Sequence, residues 1–365
     1  MNTSQRVRRA GLATVAALVV GGSGIAIGAA AADSSASGTL AAATATATPG
    51  PATSTGVTGP GPASYASVVR QVLPSVVLIR TENGLGSGVV LDTKGNIVTN
   101  AHVAGDATRF QVQVAGDTAP RSAKLVGTYP PDDLAVIRAD DPSGLQPATF
   151  GDSGKVQAGD VVLAIGNPLG LSGSVTQGII SATDRAVTEP ATDGSPAATL
   201  PGAIQTSAPI NPGNSGGALV STSGQVVGIP TLAAGSPQGG GQAQGIGFAI
   251  PSNLARDIAT QIIDTGHVTN SHRAAIGAEV ATVLGPDGTA GGVGVVAVTS
   301  GGGAERAGLR AGDVITAVAG AQTTDTTALS QALAAAKPGD TITVTISRDG
   351  QDRSVQVTLG ELPGS

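Results

Sequence analysis

Between residues 65 and 270 the apolar positions fall into short runs separated by turn residues. "SVVLIRT", "GSGVVLDTKGNIVTNAHV", "FQVQVAG", "SAKLVGT", "LAVIRA", "VVLAIG", "GIISAT", "ALVSTSGQVVGIPT" and "GIGFAIP" are rich in Val and Ile, with Gly, Asp, Pro and Ser around them. Many short β-type runs without long intervening helices predict a mainly β unit, a barrel or a sandwich. Two helices frame it. Val68, Val69, Val72 and Leu73 keep helical spacing until Pro74 stops them. Leu254, Ile258 and Ile262 line one face of a helix from Ser252 to about Thr265, with Ser252 as its candidate cap and Gly266 as its end.

From about Ser271 the pattern changes to a small α+β unit. "AIGAEVATV" and "GVGVVAVT" read as strands, and Leu329 and Leu333 share a helix face ahead of Pro338-Gly339. Ile342, Val344 and Ile346 then alternate up to an Asp349-Gly350 turn, and Val355, Val357 and Leu359 return. At the other end, Arg6, Arg8 and Arg9 precede a largely apolar run from Ala10 to Ala32. Charge followed by an apolar stretch and "AAA" is the pattern of an export signal, and the run also reaches the roughly 20 residues a membrane helix needs. A cleaved signal and a retained membrane anchor both satisfy it, and either puts the body of the protein outside the cytoplasm. Residues 33–63 are Ala, Thr, Ser, Gly and Pro with no apolar period, a disordered linker. The expected division is therefore 1–32, 33–63, a β-rich domain at 64–270 and a second domain at 271–363.

Composition narrows the chemistry. A net charge of −6 disfavours a nucleic-acid partner, which calls for a basic stripe. The absence of cysteine removes disulfides, thiolate zinc sites and a cysteine nucleophile. Three histidines, His102, His267 and His272, make a multi-histidine metal site improbable, and no cofactor is expected. Aromatics are only 1% of the chain, so its core has to come from Val, Ile, Leu and Ala.

The stretch "NPGNSGG", Asn211–Gly217, raises the main question of chemistry, because with 55 glycines a Ser in a glycine turn is ordinary. Its G-x-S-x-G form fits the nucleophile elbow of α/β-hydrolases, but that motif needs a helix after the serine, and a strand follows here. In the all-β setting another order applies. His102 lies in "NIVTNAHVA", Asp133 follows 31 residues later in "PPDDLAVIRA", and Ser215 comes 82 residues after that. His, Asp and Ser in this order match the chymotrypsin-type triad. A serine hydroxyl attacks only if a neutral imidazole takes its proton, and a carboxylate must hold that imidazole in the right tautomer. Gly213 lets backbone N–H groups of Gly213, Asn214 and Ser215 turn toward a developing oxyanion. Each residue alone has a plainer reading: a surface histidine, a turn aspartate, a structural serine. Their joint order on one β-rich unit outweighs those readings.

"TNAHV", "DDLAVI", "GNPLGL", "QTSAPINPGNSGGALV" and "GIGFAIP", with "AERAGLRAGDVI" in the tail, together resemble the HtrA (Deg) serine proteases and their PDZ domain. The resemblance runs from Tyr65 to about Leu362. It implies two six-stranded β-barrels of the chymotrypsin/trypsin type followed by a small α+β PDZ domain. His102 then acts as general base, Asp133 orients it, Ser215 attacks the peptide carbonyl, and Gly213, Asn214 and Ser215 form the oxyanion site. It further implies an ATP-independent endopeptidase acting on unfolded or misfolded proteins outside the cytoplasm, a homotrimer, and a regulatory loop at Leu232–Gln244. Ile210, Ile246, Gly247 and Phe248 offer apolar pocket walls with no acidic residue nearby, which favours small or medium aliphatic side chains before the cleaved bond. Ala275, Ile276, Gly277 and Ala278 correspond to the PDZ peptide-binding residues, and "AAIG" at Ala274–Gly277 departs from the larger residues usual in the family's loop. Pro209 also departs, beside the substrate wall. Two other classes compete: a binding protein on an inactive protease scaffold, and a cell-wall hydrolase, for which no paired carboxylates are present.

Overall fold

The computed structural model describes residues 64–364, apart from 83, 118, 168–172, 190–197, 212, 236–241 and 286–287. The export segment and the linker therefore lie outside the described residues. All those described belong to one compact unit, 58–365.

After helix α1 (Tyr65–Val72) the chain forms six antiparallel strands: β1 (Val76–Arg80), β2 (Leu85–Val90), β3 (Asn96–Thr99), β4 (Arg109–Val114), β5 (Arg121–Tyr129) and β6 (Leu134–Ala139). They close in the order β1-β2-β3-β6-β5-β4, and the short helix α2 (Ala101–Ala104) follows β3. A second closed barrel, β10-β11-β12-β9-β8-β7, is built from β7 (Val161–Gly166), β8 (Ser174–Glu189), β9 (Ala198–Thr206), β10 (Ala218–Ser221), β11 (Val226–Gly235) and β12 (Gln242–Pro251). The expected pair of six-stranded barrels is thus present. β11 runs through Gly235 and β12 starts at Gln242, so regular structure reaches further into the glycine-rich segment 232–244 than expected. Its centre, 236–241, lies outside the described residues.

Continuous apolar runs such as "VVLI" and "LAVI" follow from strands that are buried on both faces. Val77 and Ile79 point into the first barrel with Ile97, Val112 and Ile137. Val76 faces the other way, into a core shared between the barrels with Val98, Val136, Leu163 and Ile165. Ile180, Ile204 and Leu219 fill the second barrel. Helix α3 (Ser252–Thr265) seals the shared core with Ile258 and Ile262, each fully buried and contributing about 1.5–3 kcal/mol. Gly266 ends it at φ +81, as read from the sequence. Ser252 does not cap it: Pro251 occupies the cap position, and the Ser252 hydroxyl donates to the Gly151 carbonyl at 2.9 Å. The helix start is instead satisfied from a distance, where Asn253 N–H donates to the Ser153 hydroxyl at 3.1 Å.

In the C-terminal unit β13 (Ala274–Ala275) pairs with the last strand, and β14 (Ala278–Leu284), β15 (Ala290–Val298) and β16 (Val314–Val318) follow, with helix α4 (Gly303–Arg306) before β16. Next come β17 (Ala321–Gln322), helix α5 (Thr326–Leu333), β18 (Thr341–Arg348), β19 (Gln351–Thr358) and β20 (Gly360–Glu361). The sheet order is β14-β15-β16-β18-β19. Asp349 and Gly350 join β18 to β19 with φ of +54 and +74, the left-handed pair that a two-residue hairpin demands. Leu329 is buried under the sheet with Val344 and Ile346.

Candidate active site

β3 delivers the chain to Asn100, and α2 then carries His102, half exposed at the mouth of the first barrel. Asp133 reaches it from the end of β5, through a 3-10 turn at Pro130–Asp132. Asp133 itself has φ +50 and ψ +43, a left-handed conformation unusual outside glycine and held here by its neighbours. Its carbonyl accepts from Ala101 N–H at 3.0 Å and from Asn100 Nδ2 at 3.1 Å. Its buried carboxylate grips His102 at two points. Oδ1 accepts from His102 backbone N–H and Oδ2 meets Nδ1, both at 2.9 Å. A carboxylate facing Nδ1 holds the proton on that nitrogen and leaves Nε2 as the basic one.

Ser215 stands in the tight turn between Asn211 and Gly217. Its Oγ donates to the carbonyl of Thr231 on β11, at 3.2 Å. The Thr231 hydroxyl donates to Asp133 Oδ2 at 2.5 Å. Thr231 therefore joins the serine to the aspartate across the two barrels, from 98 positions further along the chain than Asp133. Sequence reading missed it, because one hydroxyl in an apolar strand carries no local signal.

The turn is held from all sides. Asn214 N–H donates to Asn211 O at 3.1 Å, and Asn214 O accepts from Gly217 N–H at 3.0 Å. Gly216 N–H donates to Pro230 O at 2.9 Å. The Asn214 side chain bonds on both sides, accepting from Asn211 N–H and donating to Pro209 O, each at 3.1 Å. Gly216 has φ +77, and a Cβ there would strike Ser87 O and Thr99 Oγ1, so only glycine fits. Of the three N–H groups assigned to the oxyanion, the one on Asn214 is used within the turn. Those of Gly213 and Ser215 donate to no described residue.

Of the four pocket residues, Ile210 and Gly247 adjoin: a Cβ on Gly247 would run into Ile210 Cγ1. Ile210 is buried, and Ile246 is partly exposed at the surface. Phe248 turns away from both, into the core shared between the barrels. In the C-terminal unit, Ala275, Ile276 and Ala278 line a cavity of about 180 Å³ together with Val280, Leu329 and Leu333. Gly277 lies between them at φ +79, its carbonyl bonded to Thr299 N–H at 2.9 Å. Arg273 and Pro201 also line this cavity.

A buried ion pair lies beside Asp133. Arg273 Nη1 meets Asp132 Oδ1 at 3.0 Å and also donates to Pro131 O. Burial pushes Asp132 up to about 6, although Arg273 and His272 pull it down. Burial and the Asp132 charge also push the neighbouring Tyr129 up to about 12. No group of three or more potential metal ligands occurs among the described residues.

Comparison with known proteins identifies the architecture. A profile described as "Trypsin-like peptidase domain" matches residues 86–229, and one described as "PDZ domain" matches 268–359. Serine protease PepD of Mycobacterium tuberculosis is 39% identical over 319 residues, covering 82% of this chain and 67% of its own. The periplasmic pH-dependent serine endoprotease DegQ of Escherichia coli is 35% identical over 330 residues, covering 81% and 70%. The solved structure of the HtrA-type protease AlgW with a decapeptide is 34% identical, covers 82% of this chain and 99% of that one, and superposes with a TM-score of 0.53. With two closed barrels, a trypsin-like profile and relatives that span most of its length, the chain belongs to the HtrA family of trypsin-like serine proteases that carry a PDZ domain.

Proposed function

We propose that the protein is an ATP-independent endopeptidase that cleaves unfolded or misfolded proteins outside the cytoplasm by a His102–Asp133–Ser215 triad. The two-point grip of Asp133 on His102 carries this reading. It keeps Nε2 available as a base while the carboxylate stabilises the imidazolium formed on proton transfer. In this mechanism the Ser215 Oγ leaves the Thr231 carbonyl, gives its proton to His102 and attacks a peptide carbonyl. The tetrahedral oxyanion then takes the unused N–H groups of Gly213 and Ser215, where losing one donor typically costs about 100–1,000-fold in rate. Collapse of the intermediate expels the amine, protonated by His102, and water repeats the sequence on the acyl-enzyme.

The apolar surroundings of Ile210 and Gly247 favour an aliphatic side chain before the cleaved bond. The cavity between β14 and α5 takes an extended peptide as an added strand on β14. Export by the N-terminal segment, with or without anchoring, fits relatives that are named periplasmic. Among the described residues no helix is long and apolar enough to cross a membrane. Assembly as a homotrimer rests on family resemblance alone. The reading is tested by incubating the protein with unfolded casein, with and without ATP. Wild type degrades casein equally in both and Ser215→Ala leaves it intact; degradation by Ser215→Ala at the wild-type rate refutes the triad. Failure of a fluorophosphonate to label Ser215 favours the inactive-scaffold alternative.

A further inference from the structure

Glycine at position 213 presents a difficulty that the triad does not resolve. Gly213 sits at φ +111, and no side chain confines it there. An oxyanion site built on this turn needs a clamp from outside it, or the peptides around the nucleophile will rotate.

That clamp is Ser87 on β2, fully buried and 126 residues from the turn. Its Oγ donates to Gly213 O at 2.6 Å and accepts from Asn167 N–H, at the end of β7, at 2.8 Å. Its backbone N–H donates to Ser215 O at 2.9 Å. Its carbonyl accepts from Thr99 Oγ1 at 2.7 Å, just ahead of His102. The peptide planes around the nucleophile can be followed one by one. The 213–214 plane is tied at its carbonyl to Ser87 Oγ and at its N–H to Asn211. The 215–216 plane is tied at its carbonyl to Ser87 N–H and at its N–H to Pro230. Between them, the 214–215 plane is held at its carbonyl by Gly217, and its one remaining donor is Ser215 N–H. A planar peptide fixed at its carbonyl has its N–H direction fixed as well. Ser87 thus anchors two of the three planes next to the nucleophile, the 213–214 plane through its hydroxyl and the 215–216 plane through its backbone N–H, and it anchors them to the barrel that carries His102 and Asp133.

Building on the triad reading, we propose that Ser87 is a positioning residue of the proteolytic reaction: its hydroxyl fixes the 213–214 peptide beside the nucleophile, so that the turn presents the leftover donor Ser215 N–H to the oxyanion. It touches no substrate and acts through the turn alone. Because it contacts neither the peptide substrate nor the imidazole, its loss weakens transition-state binding and spares ground-state binding.

The test compares wild type, S87A and S87T, with every rate divided by the concentration of sites titrated with a fluorophosphonate. The ligands are a chromogenic peptide, a peptide boronate whose tetrahedral adduct places an oxygen in the oxyanion site, and the product peptide. For S87A, kcat per titrated site is expected to fall about 10–100-fold, less than for outright loss of an oxyanion donor. KM stays within about twofold, as it does when an interaction made only in the transition state is lost. Boronate affinity falls by the same factor as kcat, product affinity holds, and S87T, which keeps the hydroxyl, recovers most of both. If S87A shows no cooperative melting transition, S87C, which fills similar volume with a weak donor, enters the same comparison. A kcat per site within twofold of wild type, or boronate and product affinities that fall together, overturns the proposal. Wild type that fails to titrate fails the triad reading itself, and this is seen before any Ser87 variant is made.

Discussion

Removing the guanidinium of Arg273 should destabilise the protein in a way that depends on pH, and the structure sets both size and sign. Asp132 is buried, its Oδ2 has no hydrogen-bond partner among the described residues, and Arg273 is its counter-charge at 3.0 Å. Tyr129, His272 and Glu361 are the other titratable groups of this cluster. In wild type the carboxyl moves from an ordinary 3.8 to about 6, so burial outweighs the ion pair. A raised carboxyl value means that its contribution to stability is full below 3.8 and is lost as pH rises through about 6. By pH 7 that loss is roughly 3 kcal/mol, at about 1.4 kcal/mol per unit.

Arg273→Ala raises the value further, but the penalty has a ceiling. Once Asp132 keeps its proton, the cost is only that of protonating an ordinary aspartate, about 2 kcal/mol at pH 5 and about 6 kcal/mol at pH 8. Wild type already sits near this ceiling at pH 5 and roughly 3 kcal/mol below it at pH 8. The lost bond to Pro131 O and lost stem packing add about 1–2 kcal/mol at every pH. The usual pH-blind expectation for a broken buried pair is about 3–5 kcal/mol. Here the destabilisation should instead be about 1–2 kcal/mol at pH 5 and about 2–3 kcal/mol larger at pH 8. Urea unfolding of R273A in a Ser215→Ala background, which prevents self-digestion, measures both values. An equal loss at the two pH values, or a larger one at pH 5, refutes the argument.

Three further perturbations follow from the site. Thr231→Val keeps the shape of the side chain and removes its donor to Asp133 Oδ2; kcat for a chromogenic peptide should fall about 10-fold with KM little changed, the pattern of an interaction lost in the transition state. Gly216→Ala forces a Cβ against Ser87 O and Thr99 Oγ1 at positive φ, and should abolish both fluorophosphonate labelling and the wild-type melting transition. Ile210→Ala clears the space over Gly247, so a library varied at the residue before the cleaved bond should shift toward larger apolar side chains, by about 10-fold or more in kcat/KM.

Much of this was legible in the sequence because it is locally encoded. Strand runs, the Asp349-Gly350 hairpin and the Gly266 helix end each depend on neighbouring residues, and the His–Asp–Ser order depends on three short motifs. What could not be read connects distant positions through single polar atoms. Ser252 looked like a cap because Ser often is one, yet its hydroxyl serves Gly151 and the capping group is Ser153. The left-handed backbone of Asp133 and its partner Thr231 lie on different barrels. Asn214 looked like a third oxyanion donor beside Gly213 and Ser215, and only the turn's own hydrogen bonding shows that its N–H points to Asn211.

The same contrast explains why a chain with so few aromatics and so many glycines can hold a catalytic geometry. Small residues let backbone approach backbone: Gly216 lies against Ser87 and Thr99, and Gly247 against Ile210. Close approach brings bonding groups within reach, but it supplies no side-chain bulk to hold them. The holding falls to buried hydroxyls, Ser87 from one side and Thr231 from the other, each bridging the two barrels. Glycine therefore makes the turn possible, and these hydroxyls make it definite. Substitutions at either kind of position should damage the same step by opposite routes, glycine variants by blocking the turn and hydroxyl variants by loosening it.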